Sequence, residues 1–251
     1  MKRKFFITAL AVMLCLPIFA STNYSNLTTG ISQLSLMKKY KNINIFSLNK
    51  LKQDSLKLTL EDKYVIIKYV LGAVKGENTF LLTNCYLRGN LDKYISKRDI
   101  NKPLQGRLQF YADSLAKTVS KGRLPQNTLL YYGMEDKEVL TAFSDKGISN
   151  LVSSKVNEEN LAVLKNKLQN KQYTEKGFML SSYDKNNINK TKFRLIINAP
   201  KNLQAILIDV HTGKENKQVL INAGYKWKIT DIEIQTEGNA QYYILNTKLV
   251  L

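Results

Sequence analysis

Apolar and polar positions along this chain change period once, near residue 125. Before that point apolar residues recur every three or four positions, the spacing of one helix face. Leu104, Leu108, Tyr111, Leu115 and Val119 make the clearest stripe and predict a helix from Leu104 to Val119 that Gly122 stops. Thr59 followed by Asp62 reads as a helix start with a capping box. Tyr64, Ile67 and Leu71 then fall on one side of the helix, which Gly72 and Gly76 end. Another helix is expected from Asn78 to Leu87, leading into Arg88-Gly89-Asn90. Leu34 to Leu56 is mixed and helical in part.

After Pro125 the pattern shortens to the alternation of strands. Strands are expected at Thr128 to Tyr132, Gly177 to Ser181, Phe193 to Asn198, Ala205 to Val210, Gln218 to Ile221, Lys226 to Glu233 and Gln241 to Leu249. Phe193, Leu195 and Ile197 alternate against Lys192, Arg194 and Ile196, as in a half-buried strand. Two helices, Asp136 to Phe143 and Asn157 to Leu168, interrupt the series. Helices first and strands after is an α+β order. The later strands lack crossover helices, which argues against a doubly wound parallel sheet and for a mixed or antiparallel β-core.

The first twenty residues read as an export signal. Lys2, Arg3 and Lys4 precede an almost wholly apolar run from Phe5 to Phe19, and Ala20 offers a cleavage site before Ser21. A secreted protein is expected; a lipid attachment at Cys15 fits less well, because Leu14 stands where a small residue belongs. The rest divides into an extension, 21–55, and one domain, 56–251. After cleavage Cys85 is the only cysteine left, so no internal disulfide can form, and it reads as a small buried hydrophobe. With one histidine in the chain a zinc site is not expected. The formal net charge is +18. Such a charge attracts nucleic acid, anionic surfaces or acidic partners. The basic residues are mostly scattered lysines without a nucleic-acid-binding motif, so no specific nucleic acid is expected, only weak anionic-surface attraction. A monomer is expected.

Four strings carry a resemblance: Asn84-Cys85-Tyr86-Leu87-Arg88-Gly89; Leu124-Pro125-Gln126-Asn127-Thr128-Leu129-Leu130-Tyr131, running on to Tyr132-Gly133; Lys176-Gly177-Phe178-Met179-Leu180-Ser181-Ser182; and Gln218-Val219-Leu220-Ile221, followed by Gly224-Tyr225-Lys226-Trp227-Lys228-Ile229. In this order they resemble the ADP-ribosyltransferase domain of bacterial exotoxins, the family of the small Rho-modifying exoenzymes and of binary-toxin enzymatic domains. The resemblance implies a split, clam-like β-core around an NAD cleft. It places Tyr132, Gly133, Ser181, Ser182 and Arg88 at the cofactor and Gln218, Asn216 and Glu215 at the catalytic position.

The same resemblance shows where this chain departs. Tyr132 stands where the family has an arginine that holds a phosphate of NAD, and a phenol brings no charge. Leu180-Ser181-Ser182 stands for a Ser-Thr-Ser strand. Gln218 stands for the glutamate that stabilises the cationic ribose as the glycosidic bond breaks. Asn216 takes the place of its upstream partner, and Glu215 is one residue out of phase, which in a strand faces it the other way. Loss of one such charge typically slows catalysis on the order of 100-fold or more. The expected function is therefore a toxin-like protein with a degenerate transferase domain that binds a host protein or a separate toxin component. An active transferase relying on Glu215, with Arg88 or Arg123 as phosphate clamp, is the second reading. A basic surface binder unrelated to NAD is the third. Ser182 reads equally well as an ordinary strand-end hydroxyl, and His211 as a partly exposed loop residue.

Overall fold

The computed structural model describes residues 45–70, 79–143, 146–212 and 217–250. The export signal, Leu34 to Asn44, Leu71, Gly72, Gly76, Glu215 and Asn216 lie outside these residues. Helices come first: α1 (Ile45–Leu56), α2 (Leu60–Val65) running into a π-helical turn (Ile66–Val70), α3 (Thr79–Arg88) and α4 (Lys102–Val119). Then follow β1 (Thr128–Met134), α5 (Asp136–Ala142), α6 (Ser149–Ser153), α7 (Glu158–Leu168), β2 (Gln172–Thr174) and β3 (Met179–Ser182). The chain closes with β4 (Phe193–Ala199), β5 (Ala205–Leu207), α8 (Asp209–Thr212), β6 (Gln218–Ile221), β7 (Lys226–Glu237) and β8 (Ala240–Val250). This is the expected α+β order.

The strands run β2-β7-β8-β4-β1-β3-β6-β5 across the sheet. Among the described residues only β4 and β8 pair in parallel; the other neighbours are antiparallel. The sheet is mixed, and it is weakest in the middle. β1 meets β4 along its whole length, from Thr128↔Ala199 to Met134↔Phe193. On its other side it meets β3 only at Tyr131↔Ser182. The two halves diverge from that point, which is the split the strand pattern alone could not locate.

Each half is closed by apolar packing. Phe143, Tyr173 and Trp227 pack as an aromatic group on one face, with Phe143–Tyr173 ring centroids 4.7 Å apart. On the other face Leu58, Val65, Ile66, Ala112, Leu115 and Val119 meet Phe178, Ile206 and Leu220. The α4 stripe is as expected in Leu108, Leu115 and Val119, which are buried, while Tyr111 packs partly covered. Gly122 has a physical reason beyond stopping the helix. A Cβ there would lie 2.2 Å from the Ala205 carbonyl oxygen, so only glycine lets the chain turn against β5.

Three expectations are corrected. Tyr64 and Ile67 do not face the core: they are 57% and 40% exposed, and the buried side of α2 and its π-turn is Asp62, Val65, Ile66 and Val70. The capping box at Thr59 and Asp62 is present, but Asp62 also turns inward, taking hydrogen bonds from Thr118 and Lys121. That ties the helix to α4 through the side opposite the apolar stripe. The strand expected from Ala205 to Val210 ends at Leu207, because the Asp209 carboxylate accepts the backbone N–H groups of Lys217 and Gln218 and the chain turns into α8. His211 therefore sits in a short helix rather than a loop, half-buried, with its pKa pushed down by burial and by nearby Lys63. Strand β2 and helix α6 are additions: both are short, and neither carries a clear period.

Candidate functional site

The cleft opens where β1 and β3 part. Tyr132, Gly133, Ser181, Ser182 and Gln218 all line it, so three widely separated strings meet in one cavity of about 220 Å³, and Asn84 brings the fourth. Phe80 and Asn84 come from α3, Glu135 and Glu138 from the start of α5, and Asn187 to Asn189 from the β3–β4 loop. Gly133 lets that loop lie flush on β1: a Cβ at this position would be 2.4 Å from the Asn189 carbonyl oxygen.

The two serines are engaged with the protein itself. Ser181 donates its hydroxyl to the Val219 carbonyl at 3.0 Å, and Ser182 donates to the Lys217 carbonyl at 2.9 Å. Both brace the strand that carries Gln218. The backbone of Gln218 is fixed from the other side by Asp209, whose two oxygens accept Lys217 N–H at 2.7 Å and Gln218 N–H at 3.1 Å. Lys217 adopts φ 54°, and its ammonium pairs with Asp184 at 2.7 Å. Asn84 is likewise engaged: its carboxamide donates to the Phe178 carbonyl at 3.0 Å and accepts the Phe178 N–H at 2.8 Å.

Behind the cleft lies a buried charge network. Tyr132 donates its hydroxyl to Glu138 Oε1 at 2.6 Å. The same oxygen accepts from Arg88 Nη1 at 3.3 Å, and Arg88 Nε donates to Glu175 Oε1 at 2.9 Å. Glu175 also accepts the Gly177 N–H at 2.7 Å. The Arg88 and Glu175 side chains are only 5% and 4% exposed. Burial alone would lower the Arg88 pKa, but the Glu175 charge and hydrogen bond, with Glu138, outweigh it and hold the guanidinium charged. Burial and the Glu138 carboxylate both push the Tyr132 phenol well above its ordinary range, so it stays a neutral donor. Arg88 Nη2 is buried without a protein acceptor.

The candidate residues thus separate. Tyr132, Gly133, Ser181, Ser182 and Gln218 share the cleft. Arg88 stands behind it, between Glu138 and Glu175. Arg123 is elsewhere, donating to the Ser120 and Gly122 carbonyls at the end of α4. Glu138, Glu175 and Asp209 were missed. Glu138 follows Glu135 by three residues and forms a capping box with it, a spacing visible in the sequence. Nothing in the sequence marks Glu175 or Asp209. Cys85 is buried, as expected, and burial raises its thiol pKa to about 11.

Does this lining fit the dinucleotide that the resemblance implies? A diphosphate needs cations or a cluster of donors. Among the described residues the cleft lining holds two glutamates and neither lysine nor arginine. The guanidinium behind it is matched by two carboxylates, which leaves Nη2 alone to favour an anion. The cavity is also smaller than the roughly 300–1,000 Å³ usual for a drug-sized ligand. The described lining therefore supplies no cation for a diphosphate.

A split mixed sheet behind a helical N-terminal half, with these strings meeting at the split, is the architecture of ADP-ribosylating toxins. The model of the family described as ADP-ribosyltransferase exoenzyme matches residues 37–251, and the chain belongs to this family. No curated protein sequence matches it. Among solved structures it is similar to Plx2a, an ADP-ribosyltransferase toxin from Paenibacillus larvae, with TM-score 0.62, 19% identity and coverage of 82% of this chain and 94% of that one. C3stau2 from S. aureus, solved with NAD, gives TM-score 0.59 and 18% identity over 84% of this chain and 99% of that one. BECa of a C. perfringens binary enterotoxin, solved with NADH, gives TM-score 0.65 and 21% identity over 84% of this chain. This chain covers 49% of BECa's length. At such identities the likeness establishes the fold.

Proposed function

We propose that this protein is a secreted, toxin-like member of the family whose transferase chemistry has degenerated, and that it acts by binding a separate protein, from a host or from another toxin component. The observation that carries this reading is the bond from the Tyr132 phenol to Glu138. The position that would clamp a phosphate by charge is neutral, and it holds a carboxylate at the cleft. Gln218 adds to it, since its amide can hydrogen-bond to a ribose hydroxyl but has no charge to set against a cationic sugar. Arg88 gives little support to the active alternative, because Glu175 and Glu138 already neutralise it.

Calorimetric titration with NAD, followed by a nicotinamide-release assay, tests the proposal. No saturable binding and no release are expected from the natural chain. Gln218→Glu alone is expected to stay inactive, because the phosphate end is unchanged. Saturable NAD binding by the natural chain, or nicotinamide release that depends on Glu215, would overturn the degenerate reading.

A further inference from the structure

Two stretches of the β3–β4 loop line two different cavities. Asn187, Ile188 and Asn189 line the cleft, whereas Lys190, Thr191 and Lys192, next in the chain, line a second cavity. This groove, of about 440 Å³, lies between the β7–β8 hairpin and the turn after α6. Four cationic side chains line it, Lys155, Lys190, Lys192 and Arg194, against one carboxylate, Glu237.

Two of these cations are held in place. The Arg194 guanidinium lies 3.5 Å above the Tyr242 ring centroid, pairs with Glu237 at 3.1 Å and donates Nε to the Thr191 carbonyl at 3.3 Å. The Lys192 ammonium donates to the Val152 and Ser154 carbonyls. Carbonyl partners orient an ammonium without cancelling its charge. Cations already ordered lose little further freedom when an anion arrives. Val156, Ala240 and the Tyr242 ring add apolar wall for an organic body, and the volume falls in the usual range for small-molecule sites.

We propose that this groove binds a phosphate-bearing ligand, with the phosphate oxygens met by Lys155, Lys190, Lys192 and Arg194. The chemistry is shared by soluble phosphate compounds and by acidic lipid headgroups. It does not depend on the state of the cleft between β1 and β3, which shares no lining residue with the groove.

The test is calorimetric titration of the full chain with inorganic pyrophosphate at physiological salt. Saturable binding is expected. Lys155→Glu with Lys190→Glu, two exposed positions, is expected to weaken it at least about tenfold, in line with losing charged hydrogen bonds. Lys50→Glu with Lys52→Glu on α1 changes the net charge equally and is expected to leave the affinity as it was. Matching thermal melts of the two double variants keep the comparison about binding. Absence of saturable binding, or equal loss in both, would overturn the site. Phosphatidylcholine vesicles with and without phosphatidic acid then distinguish the source. Retention on the acidic vesicles, abolished by the Lys155/Lys190 change, identifies a lipid headgroup. Pyrophosphate binding without vesicle retention identifies a soluble ligand.

Discussion

The cleft and the groove are lined by successive stretches of the loop from Tyr183 to Lys192, and they handle charge in opposite ways. The cleft has two glutamates in its lining, with its nearby guanidinium sequestered between carboxylates. The groove gathers four cations around one carboxylate. A net charge of +18 gives no hint of this arrangement. Overall charge sets long-range attraction, while a site is made by where the charges are fixed and what already neutralises them. In the reading proposed above, the fold's inherited cavity has lost the chemistry for phosphate and the second cavity supplies it.

The contrast breaks most sharply at Arg88. If the cleft's charges form a closed structural network, Arg88→Met strands Glu175 and Glu138 without their partner. It is expected to destabilise the fold by about 3–5 kcal/mol, the usual effect of breaking a buried ion pair. Urea denaturation measures this; a change under about 0.5 kcal/mol, as at an ordinary surface position, would mean that the guanidinium serves a ligand rather than the fold. Next in size is Tyr132→Phe. Removing the donor to Glu138 is expected to cost about 1.5–3 kcal/mol, as for a hydrogen bond to a charged group, and to leave pyrophosphate binding in the groove untouched. Unchanged stability would detach Tyr132 from the network.

The smallest effect comes from a pair outside both cavities, which calibrates them. Burial alone would raise the Asp62 pKa, but hydrogen bonds from Lys121, Thr59 and Thr118 hold it at about 2. A carboxylate with its pKa lowered in the folded state adds stability above its ordinary value of 3.8, and that stability is lost as pH falls toward about 2. Lys121 is 39% exposed, so screening limits the contribution to about 1–2 kcal/mol. Asp62→Asn is expected to flatten the loss of stability between pH 4 and pH 2, relative to the natural chain, in thermal melts across that range. An unaltered profile would show that the pair is not what acid breaks first.

Much of the fold was legible because its longer elements repeat one period. The alternation of Phe193, Leu195 and Ile197 marks β4, and all three are buried. The stripe on α4 marks a helix face for the same reason. The stripe at Tyr64 and Ile67 misled because periodicity counts apolar residues alone. Here a buried carboxylate, Asp62, and the π-turn after Val65 determined which side faced in. In the cleft, the sequence strings brought together Tyr132, Gly133, Ser181, Ser182 and Gln218. Which of them act through others was not legible. Arg88 and Glu175 are 87 positions apart, and neither position carries a pattern that names its partner.

The Asn84 carboxamide has one more consequence. Because β1 and β3 share a single pairing, the backbone leading into β3 would offer an unsatisfied rim to any extended peptide, the usual template for aggregation or strand addition. Asn84 closes that rim at Phe178 by supplying both the donor and the acceptor a neighbouring strand would have given. At this point the opening admits side chains and small molecules but gives a passing strand no ladder to extend.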